Sequence, residues 1–224
     1  MCKRFLLLAA ATMLAAATVA ASDRQDDVSR TRKAAQVFNE IMSAPDKGVP
    51  HDLLAKAKCV AIIPGELKFA FILGGNYGRG VATCRTASGW SAPMFVAVDG
   101  GSVGYQIGGS STDLVMLFMN DHALNHLLSD KFKLGGDASV AAGPVGRNAQ
   151  ADTDISLRAE VLSYSRTHGA FAGISLDGAV VQADGSGDHA MYGENVSRHQ
   201  ILDGKVAVPE SARGLLKSLD QYSA

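Results

Sequence analysis

The sequence has no surplus of positive charge: 21 Lys and Arg stand against 22 Asp and Glu in 224 residues. A chain so balanced exerts no global attraction on nucleic acid or on an anionic bilayer, so any membrane affinity must come from a local patch. It has three cysteines and no C-x-x-C or Cys/His cluster. None of the six histidines pairs at metal-ligand spacing with a partner on a clear helix face, so no metal or cofactor is expected. There are no internal repeats, no linker-like stretches and no low-complexity tracts. Past the first twenty or so residues no apolar run is long enough to span a bilayer.

The N-terminal run is too short for a membrane anchor and has no aromatic or basic belt at its far end. Lys3 and Arg4 precede an apolar stretch from Phe5 to Ala17 that only Thr12 interrupts, and Thr18-Val19-Ala20-Ala21 offers small residues for cleavage. Residues 1–21 therefore read as a secretory signal peptide. Cys2 lies ahead of the apolar stretch, where a lipid-attachment cysteine does not belong. Removing the signal takes away two basic and no acidic residues, which moves the formal charge from −1 to −3. What remains, residues 22–224, is enough for one domain with a substantial core.

Export leaves Cys59 and Cys84. An even pair in an oxidising compartment is a disulfide candidate; two separate buried thiols are the alternative. Both cysteines fall on strand-like segments. The 24 glycines are interspersed with apolar residues and mark strand ends, bulges and turns.

Residues 26–43 predict an amphipathic helix, with Val28, Thr31, Ala35, Phe38, Ile41 and Met42 recurring at steps of three and four. Pro45 and Gly48 close it, and a short helix starts at Pro50. From Cys59 onward the period changes. Apolar segments at 59–63, 69–73, 80–84, 94–98, 103–107 and 114–118 are separated by glycine-rich turn signals, as in an antiparallel meander, sandwich or barrel. Gly74 to Gly80 reads as a glycine-kinked hairpin. Asn120 or Asp121 can cap a helix through Leu128. Strands resume around 157–164, 170–176 and 179–183, Asp184, Asp188 and His189 read as a solvated turn, and Pro209 opens a final helix. The fold class expected is α+β: an antiparallel, barrel-like sheet with helices at both ends.

One enzymatic motif is present. Gly100-Gly101-Ser102-Val103-Gly104 matches G-x-S-x-G, with Asp113 and His199 in the right chain order for a hydrolase. That motif needs a strand before it and a helix after it; here both flanks are strand-like, so its context is missing.

An ordered series of short motifs covers residues 34–220. It runs through Ala57-Lys58-Cys59-Val60-Ala61-Ile62-Ile63-Pro64, Gly74-Gly75-Asn76-Tyr77-Gly78-Arg79-Gly80, Cys84-Arg85 and Gly89-Trp90-Ser91-Ala92-Pro93. It continues with Gly101 to Gly108, Thr112-Asp113-Leu114-Val115, Ala142-Gly143-Pro144-Val145-Gly146-Arg147, Ser163-Tyr164-Ser165 and Gly169-Ala170-Phe171-Ala172-Gly173. In number and order these resemble the SYLF domain family of lipid-binding modules. The resemblance implies a non-enzymatic domain that binds phospholipid, with phosphoinositides and actin as partners of the eukaryotic relatives. An exported single-domain chain looks like the stand-alone bacterial form, placed in the periplasm or at the periphery of the outer membrane.

The resemblance also implicates the N-terminal amphipathic helix in membrane contact. Phe38, Ile41 and Met42 would then face acyl chains while Arg30, Arg32 and Lys33 meet anionic head groups; docking of the same face on the sheet is the alternative. Lys131, Lys133 and Arg147 are secondary candidates for phosphate contact. An envelope protein that binds another protein through this helix is the competing reading.

Overall fold

The computed structural model describes residues 23–43, 48–65, 68–69, 75–101, 112–145, 158–167 and 170–223. Residues 1–21, read as a signal peptide, the strand expected at 103–107, Ser102 and Arg147 lie outside the described residues.

Helix α1 spans residues 23–42 and α2 spans His51–Lys56. The strands are β1 (Cys59–Ile63), β2 (Lys68–Phe69), β3 (Gly75–Thr86), β4 (Gly89–Trp90), β5 (Met94–Gly101) and β6 (Thr112–Phe118). Helix α3 (Asp121–Leu128) follows, then β7 (Lys131–Lys133), β8 (Val140–Ala142), β9 (Val161–Thr167), β10 (Ala170–Gly173) and β11 (Val180–Ala183). The chain closes with α4 (Gly185–Tyr192), α5 (Arg198–Leu202), a 3-10 turn at Glu210–Ala212 and α6 (Arg213–Ser223).

Eight strands run in the order β10-β9-β6-β1-β3-β5-β11-β7, with β2 and β4 on β3 and β8 on β9. Among the strands described, every pairing is antiparallel except β8 with β9. The sheet curls into a half-barrel flanked by the N- and C-terminal helices, which is the α+β class expected.

The central strands are buried on both faces. In β1, Val60 and Ile62 enter one apolar cluster while Cys59, Ala61 and Ile63 enter the other, as the two-residue repeat of a strand requires. The first cluster takes Ala34, Phe38 and Ile41 of α1, Leu54 of α2 and Leu215 and Leu219 of α6. The second takes Ala123 and Leu127 of α3, Phe132 of β7 and Ile201 of α5. A sheet sandwiched this way shows continuous apolar runs in place of clean alternation.

Several local expectations hold. Asn120 caps α3, its side chain accepting from the Ala123 N–H at 2.9 Å. Others are corrected. Gly75 to Thr86 is one long strand whose start pairs antiparallel with β2, Phe69 with Asn76 and Lys68 with Tyr77, so residues 75–80 are one straight arm of a hairpin, and Gly74 lies outside the described residues; a further tight turn follows between Thr86 and Gly89. Gly80 has a different purpose: a Cβ there would sit 2.1 Å from the Ile62 carbonyl oxygen, so only glycine admits β1 this close. Gly143 lies against the Tyr164 ring in the same manner, a Cβ meeting it at 2.0 Å. Arg85 closes the end of α2, donating to the carbonyls of Leu54 and Ala57 at 3.1 Å, and its guanidinium lies 4.5 Å from the Trp90 ring centre.

Cys59 and Cys84 face each other across β1 and β3 and form a disulfide. Of the two sequence readings, the bond is the one the fold adopts. It closes a loop with a sequence separation of 25. Two stability outcomes are expected. Reduction, or the pair Cys59→Ala and Cys84→Ala, lowers unfolding free energy by about 3 kcal/mol in urea titrations run with and without thiol. Gly80→Ala costs about 2 kcal/mol or more by the same measurement, since a methyl group there collides with backbone.

Candidate functional site

Helix α1 is fastened to the sheet by its apolar stripe and by two polar clamps. Phe38, Ile41 and Met42, candidates for contact with acyl chains, lie in the core at 0%, 1% and 7% exposure. The reason is geometric: their spacing makes one stripe, and the sheet face offers it an apolar bed. Each such side chain gains about 1.5–3 kcal/mol on burial, and that gain is already taken within the fold.

The first clamp centres on Asp184, the residue that caps α4. Its Oδ1 accepts from the Ser186 hydroxyl at 2.7 Å and the Gly187 N–H at 3.2 Å. Its Oδ2 accepts from Arg30 Nη1 at 3.1 Å, from Arg79 Nε at 3.0 Å and from Arg79 Nη2. Burial opposes the charge on Asp184, but the hydrogen bonds from Ser186 and Arg79 hold its carboxyl below the usual range. Arg30 also pairs with Asp27 at 3.0 Å and lies 5.4 Å over the Phe95 ring centre. Burial raises the Asp27 carboxyl, against the pull of Arg30. Arg30 is therefore an internal cation that joins helix to sheet, with its side chain 10% exposed.

The second clamp lies toward the other end of α1. Arg166 of β9 donates from Nε and Nη2 to Asp113 Oδ2 at 2.8 and 2.7 Å and from Nη1 to Glu40 of α1. Asp113 Oδ1 accepts from the Gly65 N–H at 2.6 Å. The acid that the hydrolase reading would use is thus committed to holding strands and helix together.

Beside the first clamp is a polar cleft of about 230 Å³ lined by Asp26, Ser29, Arg30, Lys33, Pro64 and Arg79. The structure brings Arg30 and Lys33 together here and adds Arg79 from β3. The sequence signal for Arg79 was its place between Gly78 and Gly80, read as part of a turn. Arg32 is exposed on the same helix. Lys131 and Lys133 are exposed on β7, at the end of the strand order, and line no part of this cleft.

Two further readings are corrected. Asp184, Asp188 and His189 are not a solvated turn: they start a helix, and Asp188 is 3% exposed. Its Oδ1 accepts from the Phe95 N–H at 2.8 Å, while its Oδ2 is buried without a hydrogen-bond partner. Burial, helped by the Asp184 charge, pushes this carboxyl up to about 7. The histidine reading also changes, because His122 and His126 stand one turn apart on α3 with Glu160 beside them.

The Asp188 shift has a definite sign. Between pH 4 and 7 the folded state holds a proton that the unfolded chain has released, so stability falls as pH rises. The slope is about 1.4 kcal/mol per pH unit at most and vanishes above the folded value. Asp188→Asn keeps the acceptor for Phe95 and removes the charge. Urea unfolding is expected to show this variant more stable than wild type at pH 8, with the gap closing toward pH 4.

Among the described residues no helix is long and apolar enough to cross a membrane. The family described as Ysc84, Las17-binding protein actin regulator, matches residues 99–222. Protein YSC84 of Saccharomyces cerevisiae is 36% identical over 202 residues, covering 86% of this chain and 43% of that protein. LAS seventeen-binding protein 3 of the same yeast is 34% identical, over 86% of this chain and 44% of its own length. The SH3 domain-containing YSC84-like protein 1 of Bos taurus is 33% identical, over 87% of this chain and 59% of its length. The chain thus spans about half the length of the curated relatives it matches. It belongs to the Ysc84 family, whose domain is the SYLF domain.

Proposed function

We propose that this protein is a non-enzymatic phospholipid-binding module of the bacterial cell envelope, exported to the periplasm or the periphery of the outer membrane. Its docking surface is the polar face of α1 together with the adjoining cleft. The observation that carries this reading is the meeting of Ser29, Lys33 and Arg79 around a cleft of about 230 Å³. That volume is smaller than a pocket for a whole ligand and suits a head group whose chains stay in the bilayer. Arg79 Nε and Nη2 are held by Asp184, which fixes the guanidinium in place as an anion contact. The cost of ordering that side chain is met in the fold.

Because Phe38, Ile41 and Met42 are in the core, this attachment is peripheral and electrostatic. Arg32 and Lys33 supply most of the attraction, because Asp184 offsets the charge of Arg79, and Asp26 in the cleft lining limits it. Ser102 lies outside the described residues and Asp113 is tied to Arg166, so the hydrolase reading gains nothing. The relatives bear names of binding and regulatory proteins, in keeping with a module that carries out no reaction.

A protein-binding role is the second reading. It is favoured by the name of the yeast relative, LAS seventeen-binding protein 3. Actin belongs to the description of the family and phosphoinositides to the resemblance; an exported chain meets neither in its own compartment.

Co-sedimentation with phosphatidylcholine vesicles, with and without phosphatidylglycerol, at low and high salt tests the proposal. The protein is expected to pellet with anionic vesicles and to release as salt rises. Lys33→Gln and Arg32→Gln should each weaken binding by about 1 kcal/mol, roughly fivefold. Absence of binding to every phospholipid tested sinks the lipid reading and leaves the protein-binding one.

A further inference from the structure

On the far side of the sheet from α1, two histidines and a carboxylate converge. His122 and His126 lie on α3, four residues apart, so their rings rise from one face of the helix. The ring centres are 4.6 Å apart at an interplanar angle of 88°. Glu160 reaches them from the residue just before β9, and its Oε1 meets His122 Nδ1. One ligand atom from each of the three residues lies within 4.8 Å of the other two.

Glu160 is held from behind. Its Oε2 accepts from the Ser139 N–H at 2.7 Å and from the Ser139 hydroxyl at 3.2 Å, and its own N–H donates to that hydroxyl at 3.0 Å. Its carbonyl accepts from the Met119 N–H at 2.9 Å, at the entry to α3. One carboxylate oxygen is therefore fixed and the other is presented to the histidines. This is the kind of outer support that orients metal ligands. His126 adds an independent sign: its Nε2 is buried and makes no hydrogen bond. Both features are unexplained by an ordinary surface ion pair, which needs neither the second imidazole nor a braced carboxylate.

We infer that His122, His126 and Glu160 form a binding site for a divalent transition-metal ion, zinc being the simplest occupant. Two imidazole nitrogens and one carboxylate oxygen are borderline ligands, which suit zinc, nickel or copper over magnesium or calcium. Ligands on zinc stand about 2.0–2.2 Å from the ion, so the three atoms draw together on binding. His122, with its side chain 66% exposed, makes most of that movement. Its exposure also leaves the outer side of the ion open to water. The site clamps α3 to the start of β9, and it is separate from the cleft at α1, so the lipid reading and this one stand or fall independently.

The test is calorimetric titration of the purified, chelator-treated protein with zinc chloride, together with its melting temperature with and without zinc. One equivalent is expected to bind and to raise the melting temperature, since the ion binds the folded state only. His122→Ala alters an exposed side chain outside the core, and it should reduce affinity about tenfold or more. Glu160→Gln should do the same, whereas His199→Ala on α5 should change nothing. With sub-stoichiometric copper as a spectroscopic probe, nitrogen hyperfine structure should report two imidazoles in the wild type and one in His122→Ala. Failure to bind zinc, or binding that His122→Ala leaves intact, overturns the inference.

Discussion

The central strands of this protein are buried on both faces, and the other elements are arranged to meet that constraint. Strand β1 has no solvent side: each of its five residues enters one of two cores. The helices at the two ends of the chain, α1 and α6, cover one face together with α2, while α3 and α5 cover the other. Covering both faces also fixes where glycine is required. Gly80 lets β1 and β3 approach, and Gly143 lets the segment after β8 lie on Tyr164. The glycine motifs that carry the family resemblance are, at these positions, packing devices.

The same constraint decides the fate of the N-terminal helix. An amphipathic helix has two possible beds for its apolar face, a bilayer or a core. Here the core takes it, and polar contacts lock the choice: Asp184 receives Arg30 and Arg79 on one oxygen, and Arg166 bridges Asp113 and Glu40. A helix so held offers a membrane only its charged side. Affinity that rested on a few basic residues would be weak and screened by salt.

Of the buried polar atoms without a hydrogen-bond partner among the described residues, on Trp90, His126, Tyr164, Asp188 and Ser211, two lie beside charged groups, in different places. Asp188 keeps one oxygen buried and unpartnered beneath α4, next to the clamp that positions Arg79. The other place is His126 with its neighbours on the opposite side of the sheet. Buried polar atoms without partners are rare enough to ask for a reason, and the two have different ones. The first is a carboxyl that can stay neutral near pH 7. The second belongs to a ligand set.

Much of the architecture was legible in the sequence, because apolar periodicity is local. The run Cys59–Ile63 announced a buried strand, Asn120 or Asp121 announced the start of α3, and the pattern after Pro209 announced the closing helix. Cys59 and Cys84 were legible as a pair, but only their facing register across β1 and β3 chose the bond over two thiols. The sites were not legible, because their residues meet from far apart along the chain. Arg79 and Asp184 are separated by 105 positions, and His122 and Glu160 by 38. Charge and spacing along a chain say what a residue can do. Which residues it does it with depends on how the sheet curls and which helix covers each face, and that was decided only in three dimensions.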